Sequence, residues 1–110
     1  MTTIVIFKSQ NSYKGFTCMG HAGYGVSGSD IVCASISILV INTINAIEEL
    51  AKENITVESN EEEGYIECHF PNKINNKTEL LMDSMVMGLK GIEKSYGDGN
   101  YFKLIIKEVS

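Results

Sequence analysis

Short runs with strand-like alternation enclose two long stretches of helical period. Thr3 to Ser9 is β-branched and largely apolar, the pattern of a strand. Gln10, Asn11 and Ser12 interrupt it, and Gly15 competes with them as the site of the turn or of a bulge. Phe16 to Gly20 continues as the second strand of a hairpin. Alternation puts Phe16, Cys18 and Gly20 on one face and Thr17, Met19 and His21 on the other. From Ile31 to Lys52 the period changes. Ile36, Val40, Ile44 and Ile47 form one apolar stripe, which Leu39 and Ile41 widen. This predicts a helix whose first half is deeply buried and which emerges at Glu48, Glu49, Lys52 and Glu53. Ile55 to Ser59 and Tyr65 to Phe70 read as an antiparallel pair around a polar turn, and Pro71 to Asn76 breaks the pattern. A second helix follows from Lys77 to Tyr96, with Leu81, Met85, Leu89 and Ile92 along one stripe. Asn76 and Glu79 stand at capping-box spacing before it, and Gly97 and Gly99 can end it. Tyr101 to Lys107 is the last strand. The order β-β-α-β-β-α-β predicts an α/β (α+β) chain: a small mixed sheet with two helices on one face, in a single domain over 1–110.

Composition narrows the partners. The chain has 110 residues, a net charge of −5 and no arginine, so all its cations are lysines. Without guanidinium forks for phosphate or guanine, no direct nucleic-acid binding is expected. The charge suits a basic peptide or protein instead. Three cysteines, Cys18, Cys33 and Cys68, make a poor disulfide framework and point to a reduced, cytoplasmic setting. Met1 to Gln10 does not read as a secretion signal, and the apolar stretch Ile31 to Ile41 is too short to span a bilayer, so no membrane partner is expected.

The chemistry concentrates between the hairpin and the first helix. Asp30 is a candidate N-cap, which puts Cys33 at the third position after it. First-turn N–H groups and aligned peptide dipoles there favour negative charge, as a thiolate nucleophile requires. His21 ends the second strand, so an imidazole and the thiol can converge at one edge of the sheet and form a base–nucleophile pair. The same helix start offers N–H donors to a developing oxyanion. Between them, Gly23, Gly25 and Gly28 make the stretch from Ala22 to Ser29 read as a mobile loop. Asp30 has two open roles, helix cap or orienter of His21. Ser37 has two as well, a site hydroxyl or a back-bond to the carbonyl of Cys33. Cys68 and His69 are strand neighbours that face opposite ways, and no CxxC or HExxH segment is present. No metal and no cofactor are therefore expected, with Cys68 packed and His69 at the surface.

Gly20-His21-Ala22-Gly23, then Gly28-Ser29-Asp30-Ile31-Val32-Cys33-Ala34 and Ser37, resembles the signature of the bacterial ribosomal-processing cysteine proteases. The resemblance implies His21 and Cys33 as the catalytic pair, with Asp30 and Ser37 as site support. It implies that the enzyme trims an N-terminal extension from large-subunit ribosomal protein number twenty-seven during ribosome maturation, and works as a homodimer. The loop from Gly23 through Gly25 to Gly28 would then close over an extended peptide, with Tyr24 and Val26 as candidate contacts. Two other functions stay open: a noncatalytic ribosome-associated peptide-binding protein, and another thiol hydrolase or acyltransferase.

Overall fold

β1 (Thr2–Ser9) and β2 (Ser12–Met19) form an antiparallel hairpin in the computed structural model, which describes residues 2–20, 29–60, 62–96 and 101–109. Its turn is the pair Gln10 and Asn11, both left-handed, with φ of 52° and 67°. Two-residue turns of this hand match the natural twist of paired strands. β2 therefore begins at Ser12, earlier than the predicted Phe16. Gly15 marks a bulge, because Phe7 pairs with Gly15 while Lys8 already pairs with Tyr13. A Cβ on Gly15 would collide with the carbonyl oxygen of Cys68 on the neighbouring strand, so only glycine fits.

α1 spans Ser29–Glu49. Asp30 is thus its second residue and not its N-cap, a correction to the sequence reading. The helix also stops short of Lys52. Lys52 takes a left-handed φ of 55°, and the Glu53 N–H donates to the Ile47 carbonyl at 3.1 Å. No glycine or proline marks that stop, so the apolar period overran it. The predicted stripe is buried at Ile36, Val40, Ile44 and Ile47, together with Val32. The expectation of a first half buried all round fails, since Ile31 is 59% and Ile38 70% exposed. By length and composition α1 is apolar enough to cross a membrane, which the shorter stretch considered above understated. In the fold its stripe closes on the sheet as a core helix.

β3 (Thr56–Asn60) and β4 (Tyr65–His69) pair antiparallel, and α2 (Asn76–Tyr96) and β5 (Phe102–Glu108) follow. α2 is capped by Asn75 and not Asn76: the Asn75 Oδ1 accepts from the Thr78 N–H at 2.9 Å. Asn75 also donates from Nδ2 to the Ala51 carbonyl at 3.0 Å, which ties the start of α2 to the end of α1. Gly97 and Gly99 lie outside the described residues. The sheet order is β3-β4-β2-β1-β5, antiparallel throughout except for the parallel β1–β5 pair. Ile4, Ile6, Phe16, Cys18 and Cys68 from the sheet join Val32, Ile36, Met82, Met85 and Leu89 from the helices in one core. Each fully buried aliphatic side chain there contributes roughly 1.5–3 kcal/mol of burial free energy.

Candidate active site

Strand directions bring three chain segments to one end of the sheet. Met19 of β2 pairs with Thr3 and Tyr65, and Tyr65 pairs with Asn60. The N-terminal half of α1 lies against this end. Gly20 leaves β2 with φ of 109°, a left-handed conformation that favours glycine, and its N–H donates to the Gly64 carbonyl at 3.2 Å.

A groove of about 480 Å³ opens between α1 and the β3–β4 side of the sheet. Its size is that of a ligand cleft. Cys33 and Ser37 line one end together with Gly20 and Tyr65. Ile41, Ile44, Val57 and Ile66 make the middle apolar, and Asn45 and Glu48 close the other end. Of the site residues predicted from sequence, the structure brings Cys33 and Ser37 into one groove. Asp30 is placed by its backbone only, at the start of the same helix. His21, Gly23, Tyr24, Gly25, Val26 and Gly28 lie outside the described residues.

Cys33 is the fifth residue of α1, two residues further in than the sequence placed it. Its own N–H is spent within the helix, so backbone donors for an oxyanion come from the free first turn. A helical side chain leans towards the helix N-terminus, which carries the Cys33 sulfur back towards those donors. Ser37 does not make the back-bond considered for it. That bond is made by Ser35 onto Ile31 and by Thr43 onto Leu39, while Ser37 is half-buried at the groove.

The three thiols differ in surroundings. Cys33 is half-buried, whereas Cys18 and Cys68 are buried. Burial, with the nearby Cys33, pushes the Cys18 thiol up to about 11. Burial, with the Glu48 charge, pushes Cys68 up to about 12. Both are therefore protonated at neutral pH. Sequence reasoning missed the rest of the groove lining, Thr2 and Glu48 among it. Thr2 is 2% exposed and lines the groove with no hydrogen-bond partner for its Oγ1 among the described residues. Glu48 lines the groove too, where its sequence context predicts only the point at which α1 emerges.

A family model described as Cysteine protease Prp matches residues 1–101. The chain belongs to the ribosomal-processing cysteine protease (Prp) family. It is 32% identical over 87 residues to the ribosomal processing cysteine protease Prp of Bacillus subtilis (strain 168), covering 76% of this chain and 78% of that one. It also superposes on the Prp of S. aureus in two crystal structures. One is a complex with a substrate peptide, at a TM-score of 0.88 and 26% identity, covering 97% of this chain and all of that one (100%). The other holds a covalently linked product peptide, at a TM-score of 0.86 and 27% identity, with coverage of 97% and 100%. As a Prp-family member, the chain is a cysteine protease. The predicted order of strands and helices is the one observed.

Proposed function

We propose that this protease removes the N-terminal extension of large-subunit ribosomal protein number twenty-seven, with Cys33 as nucleophile and His21 as general base. The observation that carries the assignment is the contrast among the thiols: Cys33 is half-buried at the groove, while burial holds Cys18 and Cys68 protonated. The covalently linked product peptide of the S. aureus relative supports a covalent stage. The names of the Bacillus and S. aureus relatives support a ribosomal substrate.

In this mechanism His21 takes the Cys33 proton and the thiolate attacks the scissile carbonyl carbon. First-turn N–H groups of α1 stabilise the oxyanion. The imidazolium of His21 protonates the departing amine as the C–N bond breaks, leaving a thioester on Cys33. Water, deprotonated by His21, then attacks the thioester and frees the acid and the Cys33 thiolate. Asp30 and Ser37 support the site from the helix that carries the nucleophile. The segment from Gly23 to Gly28, with Tyr24 and Val26, covers the peptide.

The reading further places the enzyme in the cytoplasm as a homodimer. Exposed Ile31 and Ile38 on α1, with Leu80 and Met87 on α2, supply apolar surface for self-association. Light scattering is expected to return twice the 12.1 kDa chain mass.

The test mixes the protein with the extended ribosomal protein and maps both products by mass. Cys33→Ala and His21→Ala are each expected to fold and bind peptide while cleavage falls at least about a thousandfold, the scale of losing a nucleophile–base pair. A Cys33→Ala protein that still cleaves overturns the assignment.

A further inference from the structure

The groove extends well beyond its proposed nucleophile, and its far end carries a charge. Cys33 and Glu48 lie fifteen positions apart on α1, about 22 Å along the helix axis. Both line the same groove, with Ser37, Ile41 and Ile44 between them. The sheet agrees with this direction. Tyr65 and Asn60 flank the Cys33 end, while Val57, which pairs with Cys68, lies towards the Glu48 end. Glu48 is exposed at this end of the groove, and its charge is near enough to act on the buried Cys68 thiol.

Glu48 is the one charged side chain among the described lining residues, and no cation among the described residues pairs with it. Some of the other carboxylates have work within the fold. Glu53 accepts from the Asn75 N–H and the Thr78 hydroxyl, and Glu108 from the Gln10 N–H. An extended peptide rises about 3.3 Å per residue, so a chain laid from Cys33 to Glu48 needs about six or seven residues.

We propose that Glu48 is a specificity-determining residue that selects a lysine or arginine side chain of the substrate about six or seven residues from the scissile bond, on one side of it. The proposal rests on the peptidase reading of the groove. The apolar middle takes the side chains between, and the carboxylate takes the cation at the end. A long basic side chain suits this arrangement, because its methylene stem lies on the apolar wall while its head reaches the charge.

The test uses a peptide carrying the cleavage segment mapped above, otherwise uncharged. A single lysine is walked from two to nine residues on either side of the cut, with glutamine at the same position as reference. Wild type, Glu48→Gln and Glu48→Lys, matched for melting temperature, are assayed at low salt. The readout is the lysine-to-glutamine ratio of kcat/KM at each position. Wild type is expected to peak at about two- to fivefold, the range of an exposed ion pair, at six or seven residues on one side only. The peak is expected to reside in KM, to fade with salt, to vanish in Glu48→Gln and to invert in Glu48→Lys. Efficient cleavage with a flat wild-type profile, a peak within three residues of the cut, or a peak unchanged in Glu48→Gln overturns the role of Glu48 alone. Failure of wild type to cleave even the unsubstituted peptide overturns the peptidase reading, and this proposal with it.

Discussion

Thr2 pays for its position. Its side chain is 2% exposed, and its hydroxyl finds no partner among the described residues, although the backbone N–H donates to the Tyr101 carbonyl at 3.0 Å. A buried unpaired hydroxyl costs about 1–3 kcal/mol, and valine has the same shape without it. Thr2→Val is expected to stabilise the chain by about 1 kcal/mol, which raises the Tm of a domain of this size by about 4–8 °C. A lower melting temperature would show that the hydroxyl is satisfied in solution. Tyr13 is the opposite case. Its ring is buried, and its hydroxyl donates to Asp83 Oδ1 at 2.6 Å, joining β2 to α2.

The start of α2 shows how a helix boundary depends on more than spacing. Asn76 and Glu79 have the separation of a capping box, yet the chain begins the helix one residue earlier and caps it with Asn75. Asn75 wins because its other groups are used too: its N–H donates to Glu53 Oε1 at 2.7 Å and its Nδ2 to the Ala51 carbonyl. Asn75→Ala is expected to cost about 0.5–2 kcal/mol in urea unfolding. Asn76→Ala, on an exposed helical position, is expected to stay within about 0.5 kcal/mol of wild type. Equal losses in the two variants would restore the cap to Asn76. α1 ends by a related device. Lys52 supplies the left-handed residue that glycine usually provides, and Glu53 anchors the next element through Asn75 and Thr78.

At the scale of the whole molecule, burial is the leading cause that raises three weakly acidic groups among the described residues. Burial raises Cys18 from 9.0 to about 11 and Cys68 from 9.0 to about 12. Burial and the Asp83 hydrogen bond raise Tyr13 above its usual 10.0. A raised value means that the folded state holds the proton more tightly than the unfolded chain does. The associated stability is fully present below about pH 9 and is lost as pH rises through 11 and 12. Urea midpoints measured under reductant are expected to fall steadily above pH 9. A midpoint that stays constant up to pH 11 would contradict the buried, protonated state of these thiols. Cys33 differs from both by its half-buried position, which makes it the thiol that alkylating reagents reach first in the folded protein.

The order of strands and helices was legible from sequence, because period-two and period-3.6 burial leave different spacings of apolar residues. The His21–Cys33 signature was legible for another reason: it combines glycines, an acid and a thiol in a fixed spacing, although the described residues do not extend to His21. Element ends were less so. The Gln10–Asn11 turn, the Lys52 stop and the Asn75 cap each rest on residues that meet only after folding, and spacing alone does not rank rival polar groups. The groove was not legible at all. Ile41, Val57 and Glu48 read along the chain as stripe, strand and solvated face. They line one cleft because antiparallel pairing extends the sheet beyond α1, and that overhang exists only once β3 and β4 pair beside β2. Sequence alone thus determined the elements and the nucleophile candidate, since local period and signature depend on neighbours in the chain. Tertiary structure alone decided which thiol is left accessible and what else shares its cleft, since burial and charge proximity depend on residues distant in the chain.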